Sequence, residues 1–241
     1  MTAKPTSDPR RACLGQLQSD LFLGAKAIPF DPAKLPEPAV RADFSQATAQ
    51  QKSQALQALQ AEVLNCQKCS LAQRRTNAVF GQGNPDARLV FVGEAPGYYE
   101  DQQGLPFVGR AGKLLDDILT KGMGLAREDV YICNILKCRP PKNRDPGPAE
   151  MTCCLPYLER QLQIISPQVI CCLGRIASQC LLQTKSPMRE LRGKWHDYQG
   201  TKTMVTYHPA YLLRNPPEKK KSWADVQKIM AELGLKRPAS R

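Results

Sequence analysis

Four short, largely apolar runs constrain the fold most: Leu89–Val92, Val130–Ile135, Val169–Leu173 and Thr203–Tyr207. Each is too short for a typical helix. None shows the clean alternation of a strand with one wet face. Such runs suit parallel strands covered on both faces. Helical patterns separate them. Gly109–Lys121 carries Leu114, Leu115, Ile118 and Leu119. Pro148–Ile165 opens with proline in its first turn and Glu150 close by, a helix-start signal. Ile176–Leu182 follows the third run, and Trp223–Leu233 follows the last loop. Strand alternating with helix predicts an α/β fold. The expected architecture is a three-layer α/β/α sandwich around a central, mostly parallel four-stranded sheet.

The flanks differ in character. Residues 1–45 are rich in Pro, Ala, Lys and Asp without a sustained period, and read as a flexible N-terminal extension. Leu21-Phe22-Leu23 is a candidate docking segment within it. Ser45–Leu64, with Ala47, Leu56, Leu59 and Val63, predicts a helix. Residues 46–235 then form one domain, and residues 236–241 a basic tail.

The chain has 241 residues and a formal net charge of +12, which suits a polyanionic partner. No apolar run approaches the roughly 20 residues of a membrane span, so no membrane partner is expected. Met1 to Cys13 lacks the apolar core of a signal peptide, which predicts a cytoplasmic protein. In that setting ten cysteines argue for metal binding, redox chemistry or buried thiols rather than structural disulfides.

The first strand, Arg88-Leu-Val-Phe-Val-Gly93, runs into a long loop through Glu94, Gly97, Glu100, Asp101 and Phe107 to Gly112. In open α/β sheets the crevice beyond the strands' carboxyl ends holds the ligand. A loop of this length inside a domain points to function. His208 follows the last strand and so faces the same crevice. It precedes Pro209-Ala-Tyr-Leu212-Leu213-Arg214. One of the two leucines is a candidate wedge for a nucleic-acid stack, with Arg214 beside a phosphate or in a groove. Inward packing is the alternative for both. His196, beside Trp195, reads as a surface or packing residue.

Cys66-Gln-Lys-Cys69 ends the first helix, Cys138 follows the second strand, and Cys153 and Cys154 lie further on. Two thiolates at i and i+3 grip one metal centre, and a thiolate quartet holds zinc or an iron–sulfur cluster. Spacing alone leaves Cys153 and Cys154 open. Around Cys138 the segment Lys137–Pro141, with Asn143-Arg144-Asp145-Pro146, is basic and stiffened by proline. Cys133, Cys171, Cys172 and Cys180 read as small apolar fillers of core strands and helices.

Together these motifs resemble a family 4 uracil-DNA glycosylase, the iron–sulfur type of the uracil-DNA glycosylase superfamily. The resemblance covers roughly Leu64 to Leu233. It rests on Gly93-Glu-Ala-Pro-Gly97 with Glu100-Asp101, on Gly104-Leu-Pro-Phe107-Val-Gly-Arg-Ala-Gly112, on Asn134-Ile-Leu-Lys-Cys138-Arg-Pro-Pro, and on His208-Pro-Ala-Tyr-Leu-Leu-Arg-Asn-Pro216. It implies hydrolysis of the N-glycosidic bond of deoxyuridine in DNA, a structural [4Fe-4S] cluster on Cys66, Cys69, Cys138 and Cys154, and a monomer acting on single- or double-stranded DNA.

The resemblance also implies roles. Phe107 stacks on the flipped uracil, Asn134 reads O4 and N3–H, and Glu100 lies near C5 where thymine's methyl would clash. His208 faces O2, and the main chain at Gly93, Glu94 and Ala95 completes the pocket. Ala95 stands where the first-family enzymes carry a water-orienting Asp. That role then falls to Glu94, with Asp101 behind it. Leu212, Leu213, Arg214 and Arg139 touch DNA. The loop after Phe107 lacks the basic, histidine-bearing insert of a branch that traps DNA covalently, so turnover is expected. The expected site holds one pyrimidine between the ring of Phe107 and the imidazole of His208. Competing readings are a non-enzymatic cluster-bearing damage sensor, a glycosylase for another deaminated base such as hypoxanthine, and a zinc-bound structural protein.

Overall fold

The computed structural model describes residues 44–237. The proposed extension, its Leu21-Phe22-Leu23 segment, Cys13 and residues 238–241 lie outside them. Helix α1 (Ala49–Leu64) is capped by Thr48, whose hydroxyl accepts from the Gln51 N–H while the Gln51 side chain accepts from the Thr48 N–H. This reciprocal box satisfies two donors that a helix start leaves open. Strand β1 (Gln82–Gly83) and β2 (Leu89–Gly93) follow. Short helices α2 (Tyr98–Gln103) and α3 (Arg110–Asp117) come next, and one π-helical turn (Ile118–Met123) extends α3. Strand β3 (Tyr131–Asn134), helix α4 (Pro148–Ile165), strand β4 (Val169–Leu173) and helix α5 (Arg175–Leu181) complete the middle. The last part comprises α6 (Met188–Leu191), β5 (Trp195–Tyr198), β6 (Thr201–Thr206), α7 (Pro209–Arg214) and α8 (Lys219–Leu233).

The sheet has six strands in the order β1-β3-β2-β4-β6-β5. The four expected strands form its centre and pair in parallel. The expected number of four is corrected by two antiparallel edge strands, β1 against β3 and β5 against β6. Successive side chains of β2 point to opposite faces, as a pleat requires. Val90 and Val92 join a core with Leu59, Leu158 and Cys172, under α1 and α4. Leu89 and Phe91 join a second core with Leu115, Met204 and Ile229, under α3 and α8. Two cores, one on each face, make the three layers.

Strand order places the site. The chain goes from β2 to β3 on one side, then crosses to β4 on the other side of β2. Such a reversal opens a crevice beyond the strands' carboxyl ends. Gly93 ends β2 and pairs with Asn134, which ends β3. His208 lies two residues beyond the end of β6.

Candidate active site

A cavity of about 430 Å³ occupies that crevice, and Glu94, Ala95, Glu100, Phe107, Asn134 and His208 all line it. Arg144, Asp145, Tyr211 and Arg214 complete its mouth.

Asn134 is 2% exposed, and its Oδ1 has no hydrogen-bond partner. A buried oxygen without a partner costs about 1–3 kcal/mol, so it marks a position where a donor is expected. The residue itself is firmly held. Its carbonyl accepts from buried Lys137 Nζ at 2.7 Å, and that ammonium also donates to Gln161 Oε1 at 2.6 Å. Burial pushes the Lys137 pKa down. Gly93 does not line the cavity. Its part is close approach: a Cβ there would stand 2.3 Å from Asn134 Oδ1 and 2.7 Å from Phe107 Cζ. The Gly93 and Glu94 carbonyls are already engaged, accepting from Ile135 and Leu136 N–H.

Phe107 is 5% exposed and adopts φ 53°, a left-handed backbone that a bulky residue rarely takes. The strain is held from several sides. Glu100 Oε1 accepts from the N–H groups of Val108 and Gly109, each at 3.0 Å. Arg127 donates to the carbonyls of Pro106 and Phe107 while pairing with Asp116. At Gly112 only a hydrogen fits, because a Cβ would lie 1.8 Å from the Phe107 carbonyl oxygen.

His208 caps α7, its Nδ1 accepting from the Ala210 N–H at 3.1 Å. An acceptor at Nδ1 puts the proton of the neutral ring on Nε2. Enclosure of the ring, helped by Arg214, pushes its pKa down to about 4. His208 is therefore a neutral donor at physiological pH. Its ring centroid lies 5.6 Å from that of Phe107, with 30° between planes. Rings at that separation already touch, so no third ring can lie between them. The expectation of a base sandwiched by the two is corrected: both line one cavity, and a ligand lies beside the pair.

Glu94 is half-buried. Desolvation, with the Asp145 charge, raises its pKa, while Arg175 opposes the shift. Asp101 does not back it. The Asp101 carboxylate is buried and accepts from the N–H groups of Thr76 and Asn77 at 2.9 and 3.3 Å. Adjacent helical residues point about 100° apart, so Glu100 and Asp101 on α2 face different ways. Leu212 is 2% exposed, which removes it as a wedge, whereas Leu213 is half-buried and Arg214 exposed. Arg139 Nε donates to Asn143 Oδ1 at 2.7 Å on the loop that borders the cavity. His196 is a packing residue, its Nε2 2.8 Å from the Leu191 carbonyl. The sequence reading missed Arg144, Asp145 and Tyr211. Their only signal was their place in the proline-rich segment and behind His208.

Cys66, Cys69, Cys138, Cys153 and Cys154 line one small cavity. Cys138 Sγ accepts from Arg75 Nη1 at 3.1 Å, and Cys154 Sγ from the Lys137 N–H at 3.3 Å. Burial pushes the Cys154 thiol up to about 12. The Cys153 thiol instead donates to the Lys68 carbonyl at 3.5 Å. Among the described residues no three His, Cys, Asp or Glu side chains converge closely enough for a single metal ion. Cys133, Cys171, Cys172 and Cys180 are buried in the cores, as expected.

The family described as the Uracil DNA glycosylase superfamily matches residues 80–233, which span every residue named for the crevice cavity but not Cys66 and Cys69. The chain belongs to this superfamily. Within it, the chain is 46% identical to a type-4 uracil-DNA glycosylase of Sulfurisphaera tokodaii over 182 residues, 72% of this chain and 83% of that protein. It is 46% identical to the type-4 uracil-DNA glycosylase of Archaeoglobus fulgidus over 185 residues, covering 73% and 92%. It is 50% identical to that of Thermotoga maritima over 155 residues, covering 64% and 80%. The superfamily's α/β fold agrees with the mostly parallel sheet and its covering helices. No helix among the described residues is long and apolar enough to cross a membrane.

Proposed function

We propose that this protein is a uracil-DNA glycosylase, hydrolysing the bond between uracil and deoxyribose in DNA to leave an abasic site. The observation that carries the reading is the unpartnered Asn134 Oδ1 in a cavity bordered by Phe107 and a neutral His208. The base must leave the stack before the enzyme can reach the bond. Uracil N3–H then supplies the donor that Oδ1 lacks, and the amide NH2 donates to O4. Cytosine has an acceptor at N3 and a donor at position 4, so it leaves both groups unpaired. Glu100, fixed by two main-chain N–H groups, walls the space near C5 against thymine's methyl.

As the glycosidic bond lengthens, negative charge grows on uracil. His208 Nε2–H is the neutral donor for O2. Glu94 is the group to orient water and to face the positive charge developing on the sugar, because its raised pKa suits a base. Leu213 is the remaining wedge, and Arg214 and Arg139 are the phosphate contacts.

The cysteine cavity fits a [4Fe-4S] cluster held by Cys66, Cys69, Cys138 and Cys154. Two of these sulfurs already accept N–H bonds, the kind of contact that supports a ligating thiolate. Each thiolate of a cubic cluster binds a different iron, so the ligands stand further apart than around one ion. Cys154 is favoured over Cys153 as the fourth ligand, since the Cys153 thiol donates to the Lys68 carbonyl at 3.5 Å while Cys154 Sγ accepts from the Lys137 N–H. Held there, a cluster would act structurally, with Cys66 and Cys69 after α1 joined to Cys154 on α4 and to Cys138 on the loop that carries Arg139.

The test is incubation with single- and double-stranded oligonucleotides holding one uracil, followed by alkali. Strand breaks at uracil, and none at thymine or cytosine, are expected. Intact strands would leave a damage-binding module. Breaks at hypoxanthine instead of uracil would reassign the substrate.

A further inference from the structure

Tyr98 and Tyr99 open α2 immediately after Gly97, which lines the cavity. They are 52% and 58% exposed. Five large apolar side chains are exposed among the described residues, and Tyr98, Tyr99 and Leu105 put three of them on this one segment. Scattered exposed apolar residues need no explanation, but a contiguous set beside a binding cavity does. Folding does not supply one. Helix α2 is anchored from another face, through the buried Asp101 to Thr76 and Asn77.

The two rings meet edge to face with centroids 5.4 Å apart. Arg139, from the loop after β3, lies over the Tyr98 ring at 5.0 Å from its centroid. Its Nε is fixed by Asn143 Oδ1, and Asn143 borders the cavity. The rings stand near-perpendicular, so the rim offers two separate aromatic faces, one of them on Tyr98 covered by a held guanidinium and the more exposed on Tyr99. Arg144 and Arg214 are exposed around the same mouth.

We propose that Tyr98 and Tyr99, with Arg139, form a stacking site for an unpaired nucleobase next to the extruded nucleotide, in the strand that carries it. The proposal rests on the glycosylase reading, which lays a DNA strand across this rim. Every base has a flat face for an aromatic ring, and the guanidinium suits the flanking phosphate. A protein partner with an apolar patch is the competing occupant. A guanidinium over one ring, and the cationic Arg144 and Arg214 at the mouth of the adjoining cavity, favour nucleic acid. Neighbouring bases are free to stack here in a single strand, whereas in a duplex they stack on one another. The site therefore favours single-stranded substrate.

The test uses the full chain as wild type, a Tyr98→Ala/Tyr99→Ala double variant and a Tyr98→Phe/Tyr99→Phe double variant. Binding to single-stranded and duplex oligonucleotides bearing a cleavage-resistant deoxyuridine analogue is read by fluorescence anisotropy over a salt series. Loss of both rings is expected to weaken single-strand binding roughly 5- to 100-fold. Duplex binding should fall less. The salt slope should hold, because no phosphate contact is removed, and inhibition by free uracil should not change. The phenylalanine variant should bind as wild type. Equal single-strand affinity of the alanine variant and wild type overturns the stacking site and leaves the surface to a protein partner. So does a phenylalanine variant that loses as much as the alanine one. A wild-type protein that releases no uracil sinks the glycosylase reading itself, and the stacking site with it.

Discussion

His208 is placed by its own helix. Using Nδ1 to cap α7 fixes the proton on Nε2, and enclosure keeps the ring neutral down to about pH 4. Removing one such preorganised donor costs about 10²–10³ in rate. We expect His208→Ala to lose that much in kcat while binding DNA as wild type does; single-turnover rates and anisotropy check this. Unchanged turnover would remove His208 from the chemistry. The proposed role of Glu94 predicts an acid limb. Its pKa is raised by desolvation, so it takes up a proton at higher pH than an unperturbed glutamate would, and a carboxylate needed for activity is lost as pH falls through that raised value. His208 stays neutral over the same window. With Glu94 as the proposed base, the acid limb of kcat/KM should vanish in Glu94→Gln, at a lower plateau. A limb that persists unchanged in that variant would assign it elsewhere.

The segment from β2 through α3 shows how elements carry strain. Phe107 sits at φ 53° because Glu100 takes the N–H groups after it, Arg127 takes the carbonyls at and before it, and Gly112 leaves room for its carbonyl. Gly112→Ala would force the backbone away from Phe107. A displacement near 1 Å commonly costs about 10²-fold. We expect kcat/KM for uracil excision to fall by about that factor. A Gly112→Ala enzyme with wild-type kcat/KM would show that the placement of Phe107 does not matter.

Elements with strong patterns were legible. Helix α4 spans the expected Pro148–Ile165, and the four central strands come from apolar runs. The edge strands were not legible. Strand β1 is two residues, Gln82–Gly83, and β5 is Trp195-His196-Asp197-Tyr198, mostly wet. Helix α8 starts at Lys219 rather than Trp223, because three lysines read as loop can equally cover a helix's wet face. The site's members were visible as motifs. Their mutual geometry was not: Asp101 faces Thr76, and the rings of Phe107 and His208 touch. Both depend on helix phase and strand twist rather than on spacing.

Across the molecule, the cysteine cavity joins the segment after α1 to α4 and to the basic loop after β3. With the proposed iron–sulfur cluster in place, wild type should be brown with broad visible absorption, and Cys69→Ala should lose that colour together with much of its thermal stability. A colourless but equally stable, fully active variant would make the quartet dispensable. Lys137 links the two centres: its N–H reaches Cys154, and its ammonium reaches the Asn134 carbonyl. The cysteine loop and Asn134 are thus tied together through one residue.

The most direct measurement is a crystal of this protein soaked with free uracil. Difference density for one ring beside Phe107 and His208, with N3 in hydrogen-bonding reach of Asn134 Oδ1, is the expected result. Uracil bound away from Asn134, or absent at saturating concentration while the enzyme still cuts uracil-bearing DNA, would contradict it.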